Sequence, residues 1–162
     1  MYKINRVKIR GFRRLREVDL IVKPFMVLIG ANGVGKTSLL DAFALLSASA
    51  SGKLNSALSE LGGLSSLLTR GKSEELSLLV DMEVPGYQPL EYEVHLGPRG
   101  TGHSISREVL SQMRGEHKGP FKHIDSSDRD VRYYEIDKYE LVRPNWEHNP
   151  METSLSQVPK MF

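Results

Sequence analysis

Hydrophobic and polar positions change period twice along this chain. Residues 2–10 read as a strand that runs into a turn at Gly11. Val18, Leu20 and Val22 then alternate with Asp19, Ile21 and Lys23, the period of a half-buried strand. Pro24 punctuates, and Phe25-Met26-Val27-Leu28-Ile29 follows as an unbroken apolar run. Such a run predicts a strand covered on both faces, the usual state of the central strand of an α/β sheet. After a glycine-rich loop, Leu39, Leu40, Phe43 and Leu46 recur at helical spacing and predict a helix over 36–49 with one buried face.

Residues 50–74 are rich in Ser, Gly and Leu, and predict a short helix around 54–68 broken near Gly62-Gly63. The period then returns to two. Leu76, Leu78, Val80, Met82 and Val84 alternate with mostly polar residues, as do Leu90, Tyr92, Val94 and Leu96. Pro85-Gly86-Tyr87-Gln88-Pro89 between them is turn-forming, so 75–97 predicts an antiparallel hairpin. A third strand is expected over 103–109, an irregular polar stretch over 115–130 and further strand over 131–142. The tail from Arg143, with prolines at 144, 150 and 159, shows no clear period.

Composition narrows the class. The 162 residues suffice for one domain with a real core, and 40% hydrophobic with 26% charged residues is globular rather than disordered. No apolar run reaches the length that spans a bilayer, and the N-terminus lacks an export pattern, so no membrane role and a cytoplasmic setting are expected. There is no cysteine, which excludes disulfides and thiolate metal sites. The net charge of +2 is uninformative, but residues 1–24 carry eight Lys or Arg against Glu17 and Asp19. That segment reads either as a solvated strand face or as a surface that meets phosphates of a nucleotide or a nucleic acid. The five histidines (95, 103, 117, 123 and 148) lack metal-ligand spacing and are expected at the surface.

Candidate chemistry sits in Gly30-Ala31-Asn32-Gly33-Val34-Gly35-Lys36-Thr37, which satisfies G-x-x-x-x-G-K-[ST]. The glycines let successive N–H groups turn inward around an anion, and the helix that follows adds its positive N-terminal end. Lys36 is expected to reach the β- and γ-phosphates, Thr37 to offer its hydroxyl to Mg²⁺, and Ser38 to serve the α-phosphate region. The position after an apolar run and before an amphipathic helix supports the motif.

The stretch Val27 to Ala42 resembles the phosphate loop of ABC-type ATPase heads of the RecF, SMC and OLD-nuclease kind, which read G-x-N-G-x-G-K-[ST] and often continue into Asp-Ala, here Asp41-Ala42. Ile9-Arg10-Gly11-Phe12-Arg13-Arg14-Leu15 is similar to the entry strand of those heads. The resemblance covers about the first 45 residues specifically and Gly62-Gly63-Leu64 to Thr69-Arg70-Gly71 more loosely. It implies an α/β fold, the first lobe of a P-loop NTPase core over residues 1–50, joined by a helical connector (51–74) to an antiparallel β-subdomain (75–142) and a tail (143–162). It further implies ATP and Mg²⁺ as ligands, Arg13 and Arg14 near the nucleotide, and Gln157 as the glutamine that links the metal and attacking water to the far lobe.

Two other motifs fail on inspection. Leu78-Leu79-Val80-Asp81 imitates the apolar-Asp strand that supports the metal, but Met82 replaces the glutamate and alternation already explains Asp81 as a surface residue. Leu61-Gly62-Gly63 imitates the family's signature without its serine. The resemblance therefore implies a lobe that binds Mg-ATP with little turnover by itself. It would need a missing C-terminal lobe or partner chain, with head-to-head homodimers in the full protein and DNA as a possible partner in genome maintenance or defence. The alternatives are a small P-loop nucleotide or metabolite kinase, and a nucleotide-sensing or nucleic-acid-binding module without catalysis.

Overall fold

Alternation along three segments builds the centre of the sheet. In the computed structural model, which describes residues 3–113, 119–128, 130–135, 137–145 and 147–158, Val7 and Ile9 of β1 (Lys3–Phe12) lie opposite Val80 and Leu78 of β3 (Leu76–Glu83). The same β3 residues lie opposite Tyr92 and Val94 of β4 (Leu90–Arg99), so one face of the sheet is buried without interruption. The other face carries charge: Arg6 pairs with Asp19, and Arg10 with Glu17 at 2.7 Å, on β2 (Leu15–Ile21). Exposed pairs of this kind contribute little to stability.

The remaining strands extend the same sheet: β5 (Gly102–Gln112), β6 (Phe121–Ser127), β7 (Tyr133–Glu135) and β8 (Glu140–Val142). Its order is β2-β1-β3-β4-β5-β6-β7-β8, and every described pairing is antiparallel. Strand β6 falls where an irregular stretch was expected. Few of its side chains are buried, so its period is faint, and the open edge of β5 recruits its backbone instead.

Against the apolar face lie α1 (Lys36–Ala50), α2 (Leu54–Glu60) and α3 (Leu64–Leu67). The break between α2 and α3 is the expected Gly62-Gly63 turn. Helix α1 buries Leu39, Ala42 and Leu45 but leaves Leu40 61% exposed, so its inward face is rotated from the expected one. The larger difference concerns 25–29. These residues form no strand and make no backbone hydrogen bonds among the described residues. Phe25 is 82% and Ile29 91% exposed. A buried strand needs neighbours for its N–H and C=O groups, and no described strand pairs with it. The parallel element of the expected α/β core is thereby absent from the described sheet.

The tail docks by side-chain capping. Glu108 accepts hydrogen bonds from the N–H groups of Ser154 (2.6 Å) and Leu155 (2.8 Å), which open α4 (Ser154–Gln157), and from the Tyr92 hydroxyl (3.1 Å). Glu152 accepts from Leu54 and Asn55 at the start of α2, and the Thr153 hydroxyl donates to the Ser49 carbonyl at 2.6 Å. His103, expected at the surface, is buried with its Nε2 3.0 Å from the Met151 carbonyl. His117 lies outside the described residues. No helix among the described residues is long and apolar enough to cross a membrane.

Burial pushes the Glu108 carboxyl above its ordinary value of 4.5, with the bonds from Leu155, Ser154 and Tyr92 opposing it. The folded chain therefore holds this proton to higher pH than the unfolded chain does. Protonation of Glu108 stabilises the fold at low pH, and that contribution is lost as pH rises from about 4.5 through the folded value. Urea unfolding of the parent chain and Glu108→Gln should show the parent losing ground to the variant as pH rises across this window. A difference that stays flat with pH would count against the buried-carboxyl account.

Candidate functional site

The loop from Gly30 to Gly35 leads directly into α1, and Gly35 caps that helix with φ of +116°, a conformation closed to most side chains. The first helical bond runs from the Leu39 N–H to the Gly35 carbonyl at 3.0 Å. The N–H groups of Lys36, Thr37 and Ser38 have no acceptor among the described residues, so three donors and the helix dipole point out of the N-terminus. The Lys36 ammonium donates to the carbonyls of Gly30 (2.5 Å) and Ala31 (2.8 Å), closing the loop into a ring around its own charge. An ammonium has three protons, so one remains for a ligand.

These groups border a cavity of about 320 Å³ lined by Asn32, Gly33, Lys36, Thr37, Arg13 and Arg14 among others. None of its lining residues is acidic. The Thr37 side chain is exposed, whereas Ser38 is buried and contributes mainly its N–H. The donor set suits an anion of several phosphates, and the exposed Thr37 hydroxyl is an oxygen that would be open to a divalent cation beside them.

Arg13 and Arg14 both reach the cavity, but they differ in what holds them. Arg13 has φ of +49° and forms a half-buried ion pair with Asp41 of α1. Its guanidinium ties the β1–β2 turn to the helix that carries the loop, so its charge is largely committed. Arg14 has no carboxylate partner among the described residues and lies against Gly33, where an added Cβ would sit 3.5 Å from its Nη1. Asp41 was missed as a site residue, although the Asp41-Ala42 pair was the available signal. Leu15, against which Gly35 packs, offered none.

Gln157 is not brought to this site. Its carboxamide accepts from the Asn149 N–H at 2.9 Å and donates towards the carbonyls of Asn149, Glu152 and Thr153. The segment holding it packs beside Ser49 and Gly52, at the end of α1 opposite the loop. The 15 residues of α1 span about 22 Å, well beyond the reach of a glutamine side chain. The metal-linking role expected of Gln157 is not served by this arrangement. Asp81, the discounted metal ligand, lies on the charged sheet face and hydrogen-bonds Glu91, whose carboxyl is raised by burial and by that neighbour.

A glycine loop entering an unsatisfied helix N-terminus, with a lysine folded over it, defines the phosphate-binding class of nucleotide-binding domains. Residues 2–118 match the model of the AAA ATPase domain family, and the chain belongs to that family. A stretch of 40 residues is 52% identical to the DNA replication and repair protein RecF of Edwardsiella ictaluri (strain 93-146). It covers 24% of this chain and only 11% of that relative. A solved structure described as structural biochemistry of ATP-driven dimerization and DNA-stimulated activation of SMC ATPases superimposes with a TM-score of 0.51 at 20% identity. It covers 69% of this chain and 71% of its own, and shows a shared fold. The resemblance to the first lobe of a RecF/SMC-type ATPase head thus holds, as a P-loop ATPase fold with a large antiparallel sheet.

Proposed function

We propose that this chain is the nucleotide-binding lobe of a RecF/SMC-type ATPase, holding Mg-ATP at Gly30–Ser38 and depending on a second lobe or partner chain for hydrolysis. The observation that carries this reading is the convergence of three unbonded N–H groups, the Lys36 ammonium and the Thr37 hydroxyl on a cavity without acidic lining. Lys36 and the N–H groups neutralise and orient the phosphates, Thr37 offers its oxygen to the metal, and magnesium, when bound, supplies further neutralisation. Arg14 serves the nucleotide and Arg13 holds the turn in place. The lining holds no carboxylate or imidazole to take a proton from an attacking water, and we assign turnover to groups from elsewhere.

The exposed apolar run supports the need for a covering lobe. Phe25, Val27 and Ile29 are each more than 60% exposed, in a stretch whose composition suits a buried strand. In the full assembly we place this lobe in a head-to-head homodimer, in the cytoplasm, acting in DNA maintenance or defence. Equilibrium binding of ATP with and without Mg²⁺, followed by phosphate-release assays on the same sample, tests the reading. Tight binding with negligible release is expected, and vigorous Lys36-dependent release by the chain alone would overturn the dependence on a second lobe. The exposed run has its own signature. The double variant Phe25→Ser, Ile29→Ser should bind a hydrophobic fluorescent dye much less than the parent while melting at the same temperature.

A further inference from the structure

Asp41 stands on α1 one turn after Thr37, and residues four apart on a helix share a face. The rise between the two along the axis is about 6 Å. Its carboxylate is not part of the lining of the phosphate-loop cavity, but the guanidinium it pairs with, that of Arg13, is. The pair is half-buried, with 31% of the Arg13 side chain and 22% of the Asp41 side chain exposed.

Holding the β1–β2 turn is only part of what this pair does. The backbone there is also fixed from the other side: the Arg13 N–H donates to the Leu67 carbonyl at 2.5 Å, the Thr69 N–H donates to the Gly11 carbonyl at 3.0 Å, and Phe12 and Leu68 form an isolated bridge. Phe12 is fully buried, and the Arg13 guanidinium lies 5.5 Å from the centre of its ring. To a turn so anchored, a partly exposed ion pair adds little stability. It changes the charge presented to a ligand far more. The cationic side chains of the cavity are Arg13, Arg14 and Lys36. Of these, only Arg13 is ion-paired among the described residues, because the Lys36 ammonium meets carbonyls, which leave its charge uncancelled.

We propose that Asp41 is a positioning residue that withholds Arg13 from the nucleotide: it competes with the phosphates of ATP for the guanidinium and so sets the affinity of the site. The proposal rests on the reading of this cavity as the ATP site. A guanidinium has five N–H donors and can face a carboxylate at one edge and a phosphate at another. A carboxylate in contact, however, cancels most of the charge that the phosphate would meet, and the charge-assisted bond is the strong one. The phosphates therefore gain Arg13 fully only when Asp41 releases it.

Calorimetric titration with Mg-ATP across a salt series tests this. Asp41→Asn keeps the shape of the side chain, removes its charge, and should tighten ATP binding about fivefold, with a steeper salt dependence. Asp41→Ser, smaller and also neutral, should show the same gain, so the result does not hang on the fold of one variant. Asp41→Glu keeps the charge and should show no gain. In an Arg13→Gln background the gain from Asp41→Asn should shrink below about twofold, since the group competed for is gone. ATP affinity that is unchanged or weaker in both neutral variants overturns the proposal, and weakening is what a merely structural role for the pair would give. A gain of equal size in the Arg13→Gln background also overturns it, by tracing the effect to repulsion between the carboxylate and the phosphates. Lys36→Ala keeps the two readings apart. Full ATP binding by that variant would remove the nucleotide site itself, whereas loss of ATP there with no gain in Asp41→Asn would sink the role of Asp41 alone.

Discussion

Lys36→Ala is expected to weaken ATP binding by about two orders of magnitude while leaving the melting temperature nearly unchanged. The ammonium is the only formal charge that the loop itself contributes, and it stands on the first residue of α1 beside three free N–H groups. A hydrogen bond to a charged group contributes about 1.5–3 kcal/mol, and tenfold in affinity corresponds to about 1.4 kcal/mol. The bonds it makes to Gly30 and Ala31 are exposed, so losing them costs the fold little. Calorimetric titration of the two proteins at one salt concentration measures the difference. Affinities within about threefold of each other would remove the loop from the path of the nucleotide.

Gly11→Ala is expected to produce the largest loss of stability among single-atom-scale changes here, about 3 kcal/mol. Gly11 sits at the end of β1 with φ of +74°, where an L residue costs about 1–2 kcal/mol. An added Cβ would also lie 2.3 Å from the Glu75 carbonyl oxygen and 2.9 Å from the Ser73 Cβ. The first contact is to backbone, so relief requires the connector before β3 to move, at a further cost of about 1–3 kcal/mol. Moving it disturbs the bond from Thr69 to the Gly11 carbonyl, and with it the placement of Arg70 beside the β1–β2 turn. Gly100→Ala is the control: φ is +58° there, but nothing lies within 4 Å of the added atom. Thermal melting should place Gly11→Ala roughly 10 °C below the parent and well below the control. Equal shifts for the two variants would mean that the contact with Glu75 costs nothing.

Much of the sheet was legible because its central strands carry their own signal. Leu76 to Val84 and Leu90 to Leu96 alternate cleanly, and these are the strands that bury one face against the helices. Strand β6 gave little signal because partners, not side chains, make it a strand. For the apolar run at 25–29 the failure is of the opposite kind. Its composition describes an environment covered on both faces, and the described residues supply no such cover. Leu40 was misassigned for a related reason: a helical stripe shows which positions are apolar, not which of them meets the sheet.

The phosphate loop belongs to the chain's local sequence. Nine consecutive residues contain the glycines that permit the turn, the start of the helix that leaves its N–H groups free, and the lysine and threonine placed to use them. No distant contact is needed to write that site, which is why it could be read directly. Long-range packing decided the rest. It committed Arg13 to Asp41, buried His103 and carried Gln157 to the far end of α1. It also set Arg70 beside Arg16, 54 positions away along the chain. Each of these outcomes depends on how the strands and helices meet, a distance that spacing along a sequence does not contain.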